Sequence, residues 1–287
     1  MIGRRAFLEI LGAVTAGWIG PHAARRHAEQ LGGHGLARRP RLERVGLQLY
    51  TVRREMARDF DATLATVASI GYKEVEFAGY YDRSPAQVKA ALASNGLTSP
   101  ATHIGLNEIE ADPGRVIAAS AEIGHRYIVV PSLGRQQRGS LDALRRTAAA
   151  LNEAGRAAAR AGLRAGYHNH DWEFADVEGK RPFDVLLEET DPALVWFEMD
   201  LFWIMRGGGD PLAYFERWPG RFTMVHVKDM DGTAERRMVD VGAGVLDFPS
   251  IFARAAQAGI QHYFVEHDNP ADPIASIRAS YAHLSKG

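Results

Sequence analysis

The chain has 287 residues, 46% of them hydrophobic, a formal charge of −1 and no cysteine. That length and apolar content suit one large domain with a full core, and the near-neutral balance provides no global field to draw nucleic acid or an acidic membrane surface. Without cysteine there are no disulfides, no thiolate nucleophile and no Cys-ligated zinc, so any metal must be held by His and carboxylates.

The first twenty residues, MIGRRAFLEILGAVTAGWIG, place Arg4 and Arg5 before Phe7 and Leu8 and a modest apolar run that ends near Ile19. The pattern is that of a twin-arginine export signal, an address read by a receptor for proteins that fold before crossing a membrane. Gly3 and Glu9 depart from the usual residues of that pattern, and no clean A-x-A site follows. The apolar run is short for a membrane span. Residues 1–41 are therefore expected to be signal and linker, and residues 42–287 the folded domain. The expected location is periplasmic or otherwise extracytoplasmic, with a cytoplasmic protein as the alternative and the membrane met only in transit.

From Val45 onward, short β-rich runs alternate with Ala-rich helical ones. VGLQLY precedes DFDATLATVASIG, KEVEFAG precedes SPAQVKAALASNG, LTSPATHIG precedes DPGRVIAASAEIG, and YIVVPS precedes the long SLDALRRTAAALNEAGRAAARAG. LRAGYHNH is followed by RPFDVLLEET, LVWFEMD by DPLAYFERW, FTMVHVKD by FPSIFARAAQAG, and YFVEH by DPIASIRASYAHLS. Asp-Pro and Ser-Pro pairs mark helix starts, and Gly71, Gly96, Gly124, Gly162 and Gly259 mark helix ends. Eight strand–helix units predict an α/β fold, a single closed (β/α)8 TIM barrel rather than a doubly wound sheet. The first strand is followed by no glycine-rich phosphate fingerprint.

In such a barrel the chemistry sits at the C-terminal ends of the strands, and residues i and i+2 share a face. Strand five then presents Gly166, His168 and His170; strand six, Glu198 and Asp200; strand seven, Met224, His226 and Lys228; strand eight, Phe264, Glu266 and Asp268. Strand two ends with Glu74 and Glu76 on one face, and strand three with His103. An imidazole and carboxylate cluster at one mouth is costly to desolvate unless something neutralises it. One divalent cation would do so, and the mixed N/O donors of Asp200, His226, Glu266 and a strand-five group suit Mn, Co, Mg or Zn.

The segments GLQLYTVR, GYKEVEFAGY, GYHNHDWEF, EMDLFW, VHVKD, GAGVLDFPSIF and FVEHD together resemble the sugar phosphate isomerase/epimerase family, the xylose isomerase-like TIM barrels, over about Arg44 to Ser285. The resemblance implies a divalent metal held from strands five to eight, carried here onto Asp200, His226 and Glu266. His168 stands where ketose epimerases of that family have a glutamate, and Trp203 where they often have a histidine. The implied roles are therefore His168, Asp200, His226 and Glu266 as metal ligands; Glu266, His168 and Lys228 in catalysis, Lys228 steadying an enolate oxygen; and Glu76, His103, His170 and Trp203 binding substrate. Glu173 and Glu198 would orient the imidazoles, Trp172 and Phe202 could stack on a sugar ring, and GAGVLDF would form a rim loop.

The implied activity is a metal-dependent isomerase or epimerase acting on a sugar or keto-sugar through an enediolate. Because that intermediate can also eliminate, a lyase or dehydratase of a keto-sugar or keto-glycoside is the alternative. The expected partner is a small sugar, with no nucleic acid. Apurinic-site endonucleases share the barrel, but the chain offers fewer metal ligands and less basic surface than they need. A non-catalytic sugar-binding protein would not need the intact Asp200, His226 and Glu266 set.

Overall fold

The computed structural model describes residue 42 and residues 44–286. The twin-arginine segment and its linker therefore lie outside the described residues. The barrel strands are β1 (Gly46–Gln48), β2 (Glu74–Phe77), β3 (Thr98–His103), β4 (Tyr127–Val130), β5 (Arg164–His168), β6 (Val195–Asp200), β7 (Phe222–Val227) and β8 (His262–Val265). They close in sequence order, β8 pairing with β1, and every pair is parallel. The predicted (β/α)8 barrel is what forms.

The helices begin where the predicted caps stand. The side chains of Ser84, Asp112, Asp210 and Asp272 each accept a backbone N–H of the following first turn, and each is followed by Pro. Proline loses nothing at that position, because the first helical N–H has no partner inside the helix. The longest helix, Leu141–Arg160, buries Leu144, Ala148, Leu151 and Gly155 on one stripe. A Cβ at Gly155 would sit 2.5 Å from the Leu194 carbonyl oxygen, so the glycine sets the close approach of this helix to the chain entering β6.

Inside the barrel, Ala101, Tyr127, Val129, Met224 and Phe264 form a small apolar plug, separate from the larger strand–helix core. Gly46 leaves room for Phe264, whose ring a Cβ there would meet at 2.5 Å. The plug closes one half of the bore and leaves the C-terminal half to polar side chains. Among the described residues, no helix is long and apolar enough to cross a membrane.

Three local differences from the sequence reading matter. β1 is only three residues long, because Gln48 accepts the Tyr50 N–H and turns Leu49–Val52 into a 3-10 helix. The run after strand seven is two short helices, Phe248–Phe252 and Ala255–Ala258, rather than one. Before them the chain forms a two-stranded antiparallel ladder, Asp229–Met230 with Met238–Val239, which the alternation had not indicated.

Candidate active site

The polar half of the bore is built in two layers. The deeper one joins Gln48, Glu76, His103, Glu198 and His226. Glu76 Oε2 accepts Gln48 Nε2–H at 2.7 Å and lies 2.8 Å from His226 Nε2. Glu198 Oε2 is 3.1 Å from the same His226 nitrogen and 2.8 Å from His103 Nε2. Glu76 and Glu198 are both fully buried, and each has one carboxyl oxygen with no partner.

The upper layer stands at the mouth. One atom each from His168, Asp200, His226 and Glu266 lies within 4.8 Å of the other three, and all four residues are buried. His226 belongs to both layers. With its Nε2–H directed at Glu76 and Glu198, its Nδ1 faces the mouth, 2.8 Å from Glu266 Oε2 and 3.7 Å from Asp200 Oδ2. Nδ1 has no hydrogen bond of acceptable geometry. The ring is thus held by carboxylates behind and meets the mouth carboxylates in front, an arrangement that orients an imidazole for a metal shared with them. His168 is fixed the same way. Its Nδ1–H donates to the Pro131 carbonyl at 3.2 Å, which leaves Nε2 facing Asp200 Oδ2, also at 3.2 Å. Burial, with His226 beside it, lowers the His168 pKa, which favours the neutral form a ligand requires. For His226 burial works against the charge, but Glu198 and Glu266 outweigh it and raise its pKa well above the ordinary histidine value, so a metal would have to displace its Nδ1 proton. With that proton displaced, two ring nitrogens and two carboxylates from the ends of four adjacent strands fit a divalent cation.

Asp200 ends β6 and caps the next helix. Its Oδ1 accepts the Trp203 N–H at 2.9 Å, while Oδ2 faces the mouth. Asn169 Oδ1 accepts the Asp200 backbone N–H at 3.0 Å, tying the end of β5 to that of β6. Lys228 is buried with its ammonium 2.9 Å from Asp200, 2.7 Å from Glu266 and 2.7 Å from Asp268. Burial works against its charge, but the three carboxylates outweigh it and hold the Lys228 pKa well above the ordinary lysine value. For Glu266, burial is likewise outweighed by Lys228 and His226, and its pKa lies well below the carboxylate range.

Above these layers opens a cavity of about 500 Å³, lined by His103, His168, His170, Lys228, Glu266 and Asp268 on its polar side and by Tyr50, Ala78 and Pro131 among the rest. His103 and His170 thus reach the cavity as expected. His170 lies beyond the end of β5, and burial together with His168 lowers its pKa to about 3, so it is neutral. Burial would lower His103, but Glu76 and Glu198 more than offset it and raise its pKa above the ordinary histidine value.

Several side chains lie elsewhere than expected. Glu76 does not line the cavity; it lies beneath His226, fully buried, because face alternation specifies direction and not depth. Trp203 does not line it either: the chain turns into the Leu201–Arg206 helix, and the indole packs against His170 and Phe202. Phe202 is buried, and Trp172 carries Arg138 over its ring, so neither faces the cavity. Glu198 lies against the imidazoles of His103 and His226, whereas Glu173 touches neither ring, accepting the Tyr167 hydroxyl at 2.6 Å and the His170 backbone N–H at 2.9 Å. Lys228 has its three N–H donors directed at carboxylates, which makes it a counter-charge before it is a donor to substrate.

Gln48 and Asp229 are the residues the sequence reading missed. Asp229 is buried and accepts the N–H groups of Met230, Gly242, Gly244 and Leu246, pinning the GAGVL loop. A Cβ at Gly244 would collide with that carboxylate, and Gly242 has φ +94°. The glycines in VHVKD…GAGVL, read together with the aspartate, were the available signal.

Comparison with known proteins bears on the fold and the family. The family model described as "Xylose isomerase-like TIM barrel" matches residues 64–286. The inosose dehydratase of Geobacillus kaustophilus (strain HTA426) is 24% identical, over 79% of this chain and 85% of its own. A crystal structure of a sugar phosphate isomerase/epimerase from Parabacteroides distasonis ATCC 8503 superposes with a TM-score of 0.75 at 26% identity, covering 88% of this chain and 96% of that one. The zinc-bound IOLI protein superposes at 0.68 with 14% identity, over 84% and 98% of the two chains. By fold, by matched length and by sequence, the chain belongs to the xylose isomerase-like TIM barrel family of sugar-modifying enzymes.

Proposed function

We propose that this protein enolises a keto-sugar or keto-cyclitol with the help of one divalent ion (Mn, Co, Mg or Zn) and completes the reaction by elimination. The observation that carries the reading is the set of His168, Asp200, His226 and Glu266 donors within 4.8 Å, opening on a cavity that His103 and His170 also line. Bound there, the ion would act as a Lewis acid on the substrate carbonyl. His168 and Glu266, already engaged toward that set, are better ligands than free bases. His103 is the acid–base group. Glu198 holds its Nε2 at 2.8 Å, leaving Nδ1 for the cavity, and Glu76 and Glu198 raise its pKa against burial, which strengthens it as a base.

In the step proposed, His103 takes the proton from the carbon next to the ketone, and the C–H electron pair becomes a C=C bond. The C–O bond at the following carbon breaks, and the departing oxygen leaves with that electron pair and takes a proton. The balance is a keto-sugar giving an enone and water, or an enone and an alcohol. With an imidazole at position 168, the two-glutamate proton exchange of ketose epimerases lacks one partner, and the inosose dehydratases point the same way. Isomerisation or epimerisation is the second reading, favoured by the likeness to the isomerase/epimerase structure.

The test is deuterium uptake from D2O next to the ketone, followed by NMR, with ultraviolet absorbance of an enone reporting elimination. His103→Gln is expected to slow exchange by about 10²–10⁴-fold while retaining the metal. Exchange at the wild-type rate in that variant would remove His103 from the mechanism; exchange without enone would select the isomerase or epimerase. We also propose extracytoplasmic action through the Arg4–Arg5 signal. A double Lys substitution there should keep the protein in the cytoplasm of a bacterial host, and periplasmic recovery of the variant would refute the signal.

A further inference from the structure

Among the described residues Tyr50 is the one exposed aromatic side chain, at 41%, and it lines the same cavity as the candidate metal set. The ring is held. It sits in the Leu49–Val52 3-10 helix, with its N–H on Gln48 Oε1 at 3.0 Å. The Arg53 guanidinium lies 4.0 Å from the ring centroid. That guanidinium is itself fixed by the carbonyls of Tyr50 and Asp268 and by Asn269 Oδ1, each at 2.8 Å. One face of the ring therefore has its partner inside the protein, and the remaining aromatic surface borders the cavity. A cation stacked behind a pre-positioned ring costs a ligand little ordering, which makes such a ring an effective platform.

The cavity is also larger than one sugar ring needs. A hexose has about a dozen non-hydrogen atoms, and even at a water's share of ~30 Å³ each they leave part of the 500 Å³ unfilled. The polar side, with the metal set, His103 and His170, is where a keto ring would react. Tyr50, carried by the turn after β1, offers the remaining space an aromatic face suited to a second ring.

We propose that Tyr50, backed by Arg53, is a subsite for a ring-bearing leaving group, so that the substrate is a keto-glycoside and the group eliminated is a glycosidic alcohol rather than water. This rests on the enolisation reading above and adds its substrate class. The atoms balance as before: the proton leaves the carbon next to the ketone, the C=C bond forms, the glycosidic C–O bond breaks, and the departing oxygen is protonated. The ring stacked on Tyr50 is the alcohol released.

The experiment compares wild type, Tyr50→Phe and Tyr50→Ala, each loaded with metal, on a keto-glucoside carrying a methyl group, one carrying a second glucose and one carrying a phenyl ring. Deuterium exchange gives KM for each, and calorimetry gives Kd for the corresponding glycosides that lack the ketone. Tyr50→Ala is expected to raise the KM ratio of ring-bearing to methyl compounds about three- to tenfold, with Tyr50→Phe unchanged. Whether the glucose or the phenyl compound shows the larger change identifies the kind of ring. Exchange of all compounds with the same ratio in wild type and Tyr50→Ala would overturn the subsite and leave the enolisation standing. If wild type exchanges none of them, the enolisation reading fails and calorimetry decides the subsite: weaker binding of the ring-bearing glycosides to Tyr50→Ala supports it, and equal binding overturns it.

Discussion

Asp200 serves two elements with two oxygens, so its two roles are separable. Asp200→Asn keeps an oxygen for the Trp203 N–H, the cap of its helix, and removes the charge at the mouth. The variant should fold with little loss, where Ala would forfeit a cap worth about 1 kcal/mol. Its divalent-ion affinity should fall by at least the ~10–100-fold typical of outer contacts. Glu198→Gln should fall within that range, because it touches the metal set only through His226. Titration of the metal-stripped proteins would check both, and wild-type affinity in Asp200→Asn would remove the mouth cluster as a metal site. Glu173 gives a second prediction at this scale. Burial is the main reason its pKa rises from 4.5 to about 8. The folded carboxyl keeps its proton where the unfolded one has lost it, so folding takes up a proton between those values. Stability is therefore highest below pH 4.5 for this group and declines as pH rises toward 8. Glu173→Gln can still meet the Tyr167 hydroxyl and the His170 N–H. It should flatten the dependence of Tm on pH between 5 and 8 and be the more stable protein at pH 8.5; parallel profiles for the two proteins would contradict this.

At the scale of elements, helix starts and strand order were legible because caps and periodicity are local. Ser84 and Asp272 announce their helices through side chains acting within one turn. Alternation also placed His168, Asp200, His226 and Glu266 on inward faces, and the barrel brings them together. Depth along the bore was not legible, because it depends on how strands are staggered against one another, a property of the closed sheet. Glu76 pairs in register with Gln48 and Ala101, which sets it one layer below the mouth. The rim loop was half legible: its glycines were visible, while the carboxylate that gathers them is thirteen to fifteen positions away. Asp229→Ala would leave four N–H groups short of their acceptor. Even one such buried group costs roughly 1–3 kcal/mol. Hydrogen exchange should accelerate at Gly242, Gly244 and Leu246 while the strands keep their protection; unchanged protection at those amides would show that the loop is held by something else.

At the scale of the whole molecule, the mouth of the barrel has an unbalanced charge. Asp200, Glu266 and Asp268 converge on Lys228, with His226 shared between this layer and the carboxylates below. The ends of β6 and β8 thus carry like charges into one buried space on either side of β7, and any cation seated there should hold these strand ends together. At a free metal concentration of 100 times Kd, binding adds ~2.7 kcal/mol to stability, which for a domain of this size raises Tm by about 5–10 °C. Lys228→Met sharpens the expectation. Removing one partner from a buried ionic group costs about 3–5 kcal/mol, so the metal-stripped variant should melt well below wild type. A divalent ion would replace the missing positive charge, so the Tm rise on adding manganese or zinc should be larger in Lys228→Met than in wild type. It should be absent in Asp200→Asn and reversed by a chelator in the other two proteins. Equal shifts in wild type and Lys228→Met would mean that the lysine and the metal do not share the same carboxylates, and the charge balance at the mouth would have to be assigned differently.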